Sequence, residues 1–186
     1  MRSLPAAVAA IFMLSSCQTG SGPTGTTITN VQIVDGTGSP AVSGAVRIVG
    51  DTIVAVGDVT QVRGDSVVDG GGMVLAPGFI DTHSHHDWGL LKTPDALGAV
   101  SQGITTVVGG QDGDSTFPLS ELFAKLERSP AAVNVASYSG HGTLREKVMG
   151  GDFRRAATPG EIAEMSRLLE SDRAAGALRQ HVVLAP

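Results

Sequence analysis

The feature that most constrains the fold is a short apolar segment that ends in a group of histidines. Residues 78–82 read Gly-Phe-Ile-Asp-Thr, and His83, His85 and His86 follow directly. Such a run is typical of a buried strand, and side chains two residues apart at a strand end point to the same side. His83 and His85 are therefore predicted to place two imidazoles on one metal ion. A pair of solvated histidines at a polar strand end is the alternative.

The region before this segment, residues 26–76, is predicted to form a small β-sheet module. Apolar and polar residues alternate there in short runs, and glycine or proline separates the runs. Alternation of this kind indicates small antiparallel strands that are buried on one face.

From residue 77 onward, strand-like and helix-like segments alternate. Strands are predicted at residues 78–82, 104–108 and 131–138, and helices at residues 94–102 and 119–128. A further helix is predicted to begin after Thr158, because Thr158 can cap it, Pro159 suits its first position and Glu161 lies three residues after the cap. Its predicted apolar face consists of Ile162, Met165, Leu168 and Leu169. Repeated β/α units build either a doubly wound sheet or a (β/α) barrel.

The charge and cysteine content exclude some classes of partner and site. The formal net charge is -5, and the lysines and arginines are scattered along the sequence, so no basic stripe for nucleic acid is present. Cys17 is the single cysteine, which excludes an intrachain disulfide and a metal site built from cysteine pairs.

Residues 1–17 have the layout of a bacterial lipoprotein signal peptide. Arg2 precedes an apolar run that is too short to span a bilayer, and Leu-Ser-Ser-Cys at residues 14–17 resembles a lipobox. Cleavage before Cys17 and lipidation of its thiol would leave residues 18–25 as a flexible tether. We therefore expect an exported lipoprotein on the periplasmic or cell-surface side, held at the membrane by its lipid anchor only. The alternatives are an ordinary signal peptide with an incidental cysteine and an extension of the start site that is not cleaved.

The order of these motifs resembles the amidohydrolase superfamily, in which a small β module precedes a PGFIDTHSH-type segment on the first barrel strand. Residues 103–113, 134–145 and 156–159 further resemble its N-acyl-D-amino-acid deacylase (D-aminoacylase) branch. The resemblance runs from about residue 26 to residue 178, and the tail from about residue 179 departs from it. It implies an α/β chain: the N-terminal part of a small β-sandwich over residues 26–76, then the first three or so βα units of an incomplete TIM-type metal-dependent hydrolase barrel over residues 77–186.

The resemblance also implies a metal centre with one or two zinc ions, or another divalent metal, and His83 and His85 as ligands. Many of these deacylases carry a cysteine ligand where this sequence has Asp112. A carboxylate also binds zinc, so Asp112 is expected to replace the thiolate by a harder ligand. The alternative is that Asp112, beside Gly113, is only a turn residue.

Three further residues, Tyr138, His141 and Arg145, are candidates for substrate binding. They follow the third predicted barrel strand, and an arginine there could hold a substrate carboxylate in a bidentate pair. The alternative is local: Arg145 as a solvated charge at a helix start and His141 as a loop histidine with local hydrogen bonds.

The implied activity is hydrolysis of the amide bond of N-acyl-D-amino acids, with a zinc-activated water as the attacking group. The implied general base is an aspartate from a later strand, expected beyond the end of this chain. A barrel takes about 250 residues, so we expect the chain as given to be catalytically inert and prone to aggregate through unpaired strand edges. Two alternatives remain: a non-catalytic lipid-anchored remnant, or another amidohydrolase such as a hydantoinase or dihydroorotase.

Overall fold

The computed structural model describes residues 23–181. The predicted signal peptide, Cys17 and most of the predicted tether lie outside the described residues. The described residues divide into two compact units, residues 23–77 and residues 78–181. Within the described part of the chain, no helix has the length and apolar character needed to cross a membrane.

The first unit is a single five-stranded sheet. Its strands are β1 (Thr26–Ile33), β2 (Val42–Val49), β3 (Thr52–Gly57), β4 (Ser66–Asp69) and β5 (Val74–Leu75). The order is β3-β2-β1-β4, and β5 also pairs with β1. Strands β1, β2 and β3 pair antiparallel, as predicted, but β4 and β5 run parallel to β1. The expectation of antiparallel strands throughout was wrong, because the chain crosses the sheet between β3 and β4 instead of making a hairpin.

A buried ion pair links three parts of this sheet. Arg47 on β2 donates from Nε to Asp65 Oδ2 over 2.7 Å, and the carboxylate of Asp65 has 0% exposure. Thr27 on β1 donates its hydroxyl to the same carboxylate over 2.8 Å, and the Gly25 amide donates to it over 2.9 Å. The hydrogen bond from Arg47 lowers the pKa of Asp65 well below its ordinary value. Asp65 thus ties the loop before β4 to both β1 and β2.

The second unit contains parallel strands with helices between them. Its strands are β6 (Phe79–Asp81), β7 (Ile104–Gly109), β8 (Asn134–Ser137), β9 (Ser139–Gly140) and β10 (Gln180–His181), and its helices are α1 (Leu97–Val100), α2 (Leu119–Arg128), α3 (His141–Met149) and α4 (Pro159–Ala174). One parallel sheet has the order β6-β7-β8, and β9 pairs in parallel with β10. One hydrophobic core cluster of this unit consists of Leu90, Ala96, Ala99, Val107 and Val133.

Several elements of this unit differ from their predictions. Phe79 and Ile80 on β6 are 65% and 61% exposed, so β6 is not a buried strand; within the described residues it is an edge strand that pairs only with β7. The helix predicted at residues 94–102 shortens to α1, because Ala96 has a left-handed backbone with φ 44°. Helix α3 was not predicted.

Helix α4 begins as predicted. Thr158 accepts a hydrogen bond from the Glu161 amide, and the Glu161 carboxylate accepts one from the Thr158 amide, so both halves of the capping box form. The hydrogen bond from Arg155, followed by the one from the Thr158 amide, lowers the pKa of Glu161 to about 2. The predicted apolar face is only partly buried: Met165 is buried, whereas Ile162 is 53% exposed.

Candidate metal centre

Two neighbouring strand ends bring the predicted metal ligands together. His83 and His85 lie in the loop that follows β6, and Asp112 lies in the loop that follows β7. The histidines therefore lie beyond the strand end. The prediction from their spacing had placed them on the strand end itself. Because β6 and β7 are adjacent and parallel, their carboxyl ends lie at the same edge of the sheet, which is where α/β proteins commonly bind ligands.

The distances within this cluster fit a metal ion. Asp112 Oδ2 lies 3.3 Å from His83 Nε2 and 3.1 Å from His85 Nε2, and all three ligand atoms lie within 4.8 Å of one another. Ligands on a tetrahedral zinc ion, with bonds of about 2.0 to 2.1 Å, are about 3.3 Å apart. Two imidazoles and a carboxylate are also a ligand set that zinc accepts. The residues present thus fit the metal that the sequence predicted.

The backbone and the charge of Asp112 both suit this position. Its φ of 56° is left-handed, so it is a turn residue, as the alternative proposed, and its side chain nevertheless meets the histidines. Hydrogen bonding to His83, followed by the smaller effect of His85, lowers the pKa of Asp112. The carboxyl group is therefore ionised at neutral pH, which is the state that a cation requires.

His85 has an aromatic neighbour, and His86 has a polar one. The ring of Trp88 lies 5.3 Å from the ring of His85, at an angle of 58°, and Trp88 is largely exposed. His86, the third histidine of the motif, places its Nδ1 2.7 Å from the Ser84 hydroxyl. It is not a member of the three-residue cluster.

Two buried polar residues beside the cluster were not assigned any role from the sequence. Asp87 accepts a hydrogen bond at Oδ2 from the Gly110 amide over 3.3 Å. Gln111 donates from Nε2 to the carbonyl oxygens of Thr82 and Val108, over 2.9 Å in each case. Burial raises the pKa of Asp87. The only available sequence signal was position, since Asp87 follows the histidine motif and Gln111 precedes Asp112.

The segment that carries the three candidate substrate residues contacts the loop that carries Asp112: the Tyr138 amide donates to the Gly109 carbonyl over 3.0 Å, and the Thr143 amide donates to the Gly113 carbonyl over 3.1 Å. Tyr138 lies between β8 and β9, and His141 is the first residue of α3. Burial, followed by the charge of Arg145, lowers the pKa of His141. The Arg145 guanidinium donates to the Phe153 carbonyl over 2.8 Å and also to the Arg155 carbonyl. Arg145 thus bonds backbone carbonyl groups of its own unit, and a substrate role for these residues stays a prediction.

Comparison with known proteins gives the class to which this fold and site belong. The pattern of the amidohydrolase family matches residues 66–185, which is more than half of the chain, so the chain belongs to the amidohydrolase family. The match includes residues 179–185, the segment that was predicted to depart from the family.

Within that family, the chain is similar to two deacylases. An N-acyl-D-aspartate deacylase of Alcaligenes xylosoxydans xylosoxydans is 44% identical over 173 residues, which cover 81% of this chain and 34% of that protein. A D-aminoacylase of the same organism is 40% identical over 169 residues, which cover 78% of this chain and 35% of that protein. The chain thus spans about a third of the length of the curated relatives it matches.

A solved structure shares the fold. The N-acyl-D-glutamate deacylase from Bordetella bronchiseptica, complexed with zinc and a phosphonate mimic of the tetrahedral intermediate, superposes with a TM-score of 0.81 at 31% identity. The superposition covers 86% of this chain and 38% of that chain. It confirms the α/β fold class expected from the resemblance.

Proposed function

We propose that this chain supplies metal ligands to a zinc-dependent amidohydrolase that cleaves the amide bond of N-acyl-D-amino acids. The observation that carries the proposal is the convergence of His83, His85 and Asp112 at the carboxyl edge of the β6-β7-β8 sheet. The named relatives, which are deacylases of N-acyl-D-amino acids, favour this substrate class over the cyclic amides of a hydantoinase or dihydroorotase.

Each residue of the cluster has a role that follows from its chemistry. His83 and His85 offer neutral nitrogen ligands, and Asp112 offers the negative charge that offsets part of the charge of a divalent ion. When bound, zinc would polarise the substrate carbonyl and lower the pKa of a water molecule. The three side chains are about half exposed, so a small N-acyl amino acid can approach them from solvent. Tyr138, His141 and Arg145 remain candidates for holding that substrate.

The test is an assay of the product of the native gene with N-acetyl-D-aspartate, N-acetyl-D-glutamate and their L-enantiomers. We expect free D-amino acid to be released from a D-substrate, and this release should disappear in His83→Ala, whereas the L-enantiomers should react poorly. Hydrolysis of hydantoin or dihydroorotate in place of the N-acyl substrates would replace the proposal by the cyclic-amide alternative. A protein that binds zinc but hydrolyses none of these compounds would support the non-catalytic alternative.

We also propose that the protein is exported and anchored through a lipid on Cys17. The support is the sequence of residues 1–17. In a bacterial host, the wild-type protein should partition into the detergent phase of a Triton X-114 extraction, and Cys17→Ala should move it to the aqueous phase. Ser21→Ala, in the predicted tether, is the control and should leave partitioning unchanged. Cys17→Ala protein that stays in the detergent phase would refute the anchor.

A further inference from the structure

Two buried side chains connect the two loops that carry the metal ligands. One side chain comes from each loop, and each bonds the backbone of the segment on the other side. Asp87, which is 4% exposed, belongs to the loop after β6 and accepts from the Gly110 amide in the loop after β7. Gln111, which is 2% exposed, belongs to the loop after β7 and donates to the Thr82 carbonyl at the end of β6. We call these two residues the loop clamp.

The loop clamp lies directly beside the ligands along the chain. Thr82 precedes His83 and Gln111 precedes Asp112, while Asp87 and its partner Gly110 are each two residues from a ligand. The Gln111 side-chain amide also donates to the carbonyl oxygen of Val108, near the end of β7. A shift of either side chain would therefore be transmitted to the loop that carries His83 and His85 or to the loop that carries Asp112.

The packing around Asp87 leaves little room for such a shift. A Cβ added to Gly109 would lie 2.6 Å from Asp87 Cγ, so the carboxyl group fits against a backbone that only glycine allows. Among the side chains that the structure describes, Asp87 Oδ1 is buried without a hydrogen-bond partner. A buried and incompletely paired carboxyl group costs stability, so packing alone does not explain an aspartate at this position.

We propose that Asp87 and Gln111 are positioning residues of the metal centre, which set the spacing between Asp112 and the two histidines by clamping their loops together. The proposal rests on the proposed metal site. A merely structural role would lower the stability of the unit and leave the metal affinity of the folded protein unchanged. A positioning role lowers the affinity even in variants that fold, because the ligands must then be brought together at the moment of binding.

The experiment measures the zinc dissociation constant by competition with a chelating dye, together with the thermal midpoint, for the wild-type protein and four variants. Asp87→Leu and Gln111→Met remove the bridging bonds with little change of volume, and Asp87→Asn retains an oxygen acceptor for the Gly110 amide. Asp172→Leu is the matched control, because Asp172 is also a buried carboxylate, 1% exposed, but it accepts from the Leu119 amide on α2 and the Ser139 hydroxyl on β9, outside the two ligand-carrying loops.

We expect Asp87→Leu and Gln111→Met to weaken zinc binding by about tenfold or more, as removal of supporting partners does at other metal sites. Asp87→Asn should stay within about threefold of wild type, and Asp172→Leu should lower the thermal midpoint without changing the zinc affinity. Unchanged affinity in Asp87→Leu and Gln111→Met, or an equal loss in Asp172→Leu, would overturn the loop clamp alone. Absence of zinc binding by the wild-type protein would overturn the metal site and the clamp together. If Asp87→Leu does not fold, Gln111→Met decides the question.

Discussion

Replacement of Asp112 by alanine is expected to weaken zinc binding by more than about 100-fold, beyond the effect of losing a supporting partner. Asp112 is the only anionic member of the cluster, and its Oδ2 is the atom that both histidines approach. Its loss leaves two neutral nitrogens, which neither complete a tetrahedral site nor offset the charge of the ion. Isothermal titration or dye competition at neutral pH measures the affinity and the stoichiometry, which should be one ion per chain or more in the wild-type protein.

Two variants make this result specific. His86→Ala removes an exposed histidine from the same loop but outside the cluster, so its zinc affinity should stay within a few-fold of wild type. Asp112→Cys substitutes the ligand type common among the deacylases that the sequence resembles, and it should retain zinc while shifting the preference toward the softer Cd²⁺. Zinc binding by Asp112→Ala at the wild-type level would show that Asp112 is not a ligand. An equal loss in His86→Ala would show that the effect is not specific to the cluster.

The second large effect concerns the buried ion pair of the first unit. Asp65→Ala is expected to lower the thermal midpoint of this unit by more than about 10 °C, because it leaves the largely buried Arg47 without its partner. The Thr27 hydroxyl and the Gly25 amide lose their acceptor at the same time. Circular dichroism during heating reports the loss, and amide hydrogen exchange on β1 and β2 assigns it to this unit.

Asp58→Ala is the matched control, because Asp58 is an aspartate of the same unit that lies exposed directly after β3. It should shift the midpoint by no more than about 2 °C.

The stability of this unit should depend on pH with a definite sign. The folded protein lowers the pKa of Asp65, so the stabilisation by the ion pair is complete above the unfolded pKa of about 3.9 and is lost as the pH falls further. Asp65→Asn should lack this acid-dependent loss, and its persistence there would assign it to other carboxyl groups.

Local sequence signals predicted local structure well and long-range structure less well. The capping box at Thr158 and Glu161 depends on residues three apart, and α4 begins where it was predicted. The exposure of Phe79 and Ile80 depends instead on which elements cover β6, and an apolar run carries no such information. The parallel pairing of β4 and β5 with β1 likewise depends on how the chain crosses the sheet, which strand patterning does not encode.

The same contrast between local and long-range structure holds for the metal cluster and its surroundings. His83 and His85 were predicted from their spacing, and Asp112 was predicted from its place in a family motif. The loop clamp was missed, because the bond between Asp87 and Gly110 joins residues 23 positions apart and exists only when β6 and β7 pair. The local interaction of Arg145 with the Phe153 carbonyl also depends on a turn that the sequence did not predict.

The contact between Trp88 and His85 gives the protein an optical reporter of its own. Trp88 is the single tryptophan and the chain has one tyrosine, so fluorescence excited at the red edge of the protein absorption band comes from one indole. That indole ring lies 5.3 Å from the His85 ring. A paramagnetic ion such as Cu²⁺ or Co²⁺ bound by the cluster would quench this emission, whereas zinc would not, so occupancy and metal exchange can be followed in real time without a label.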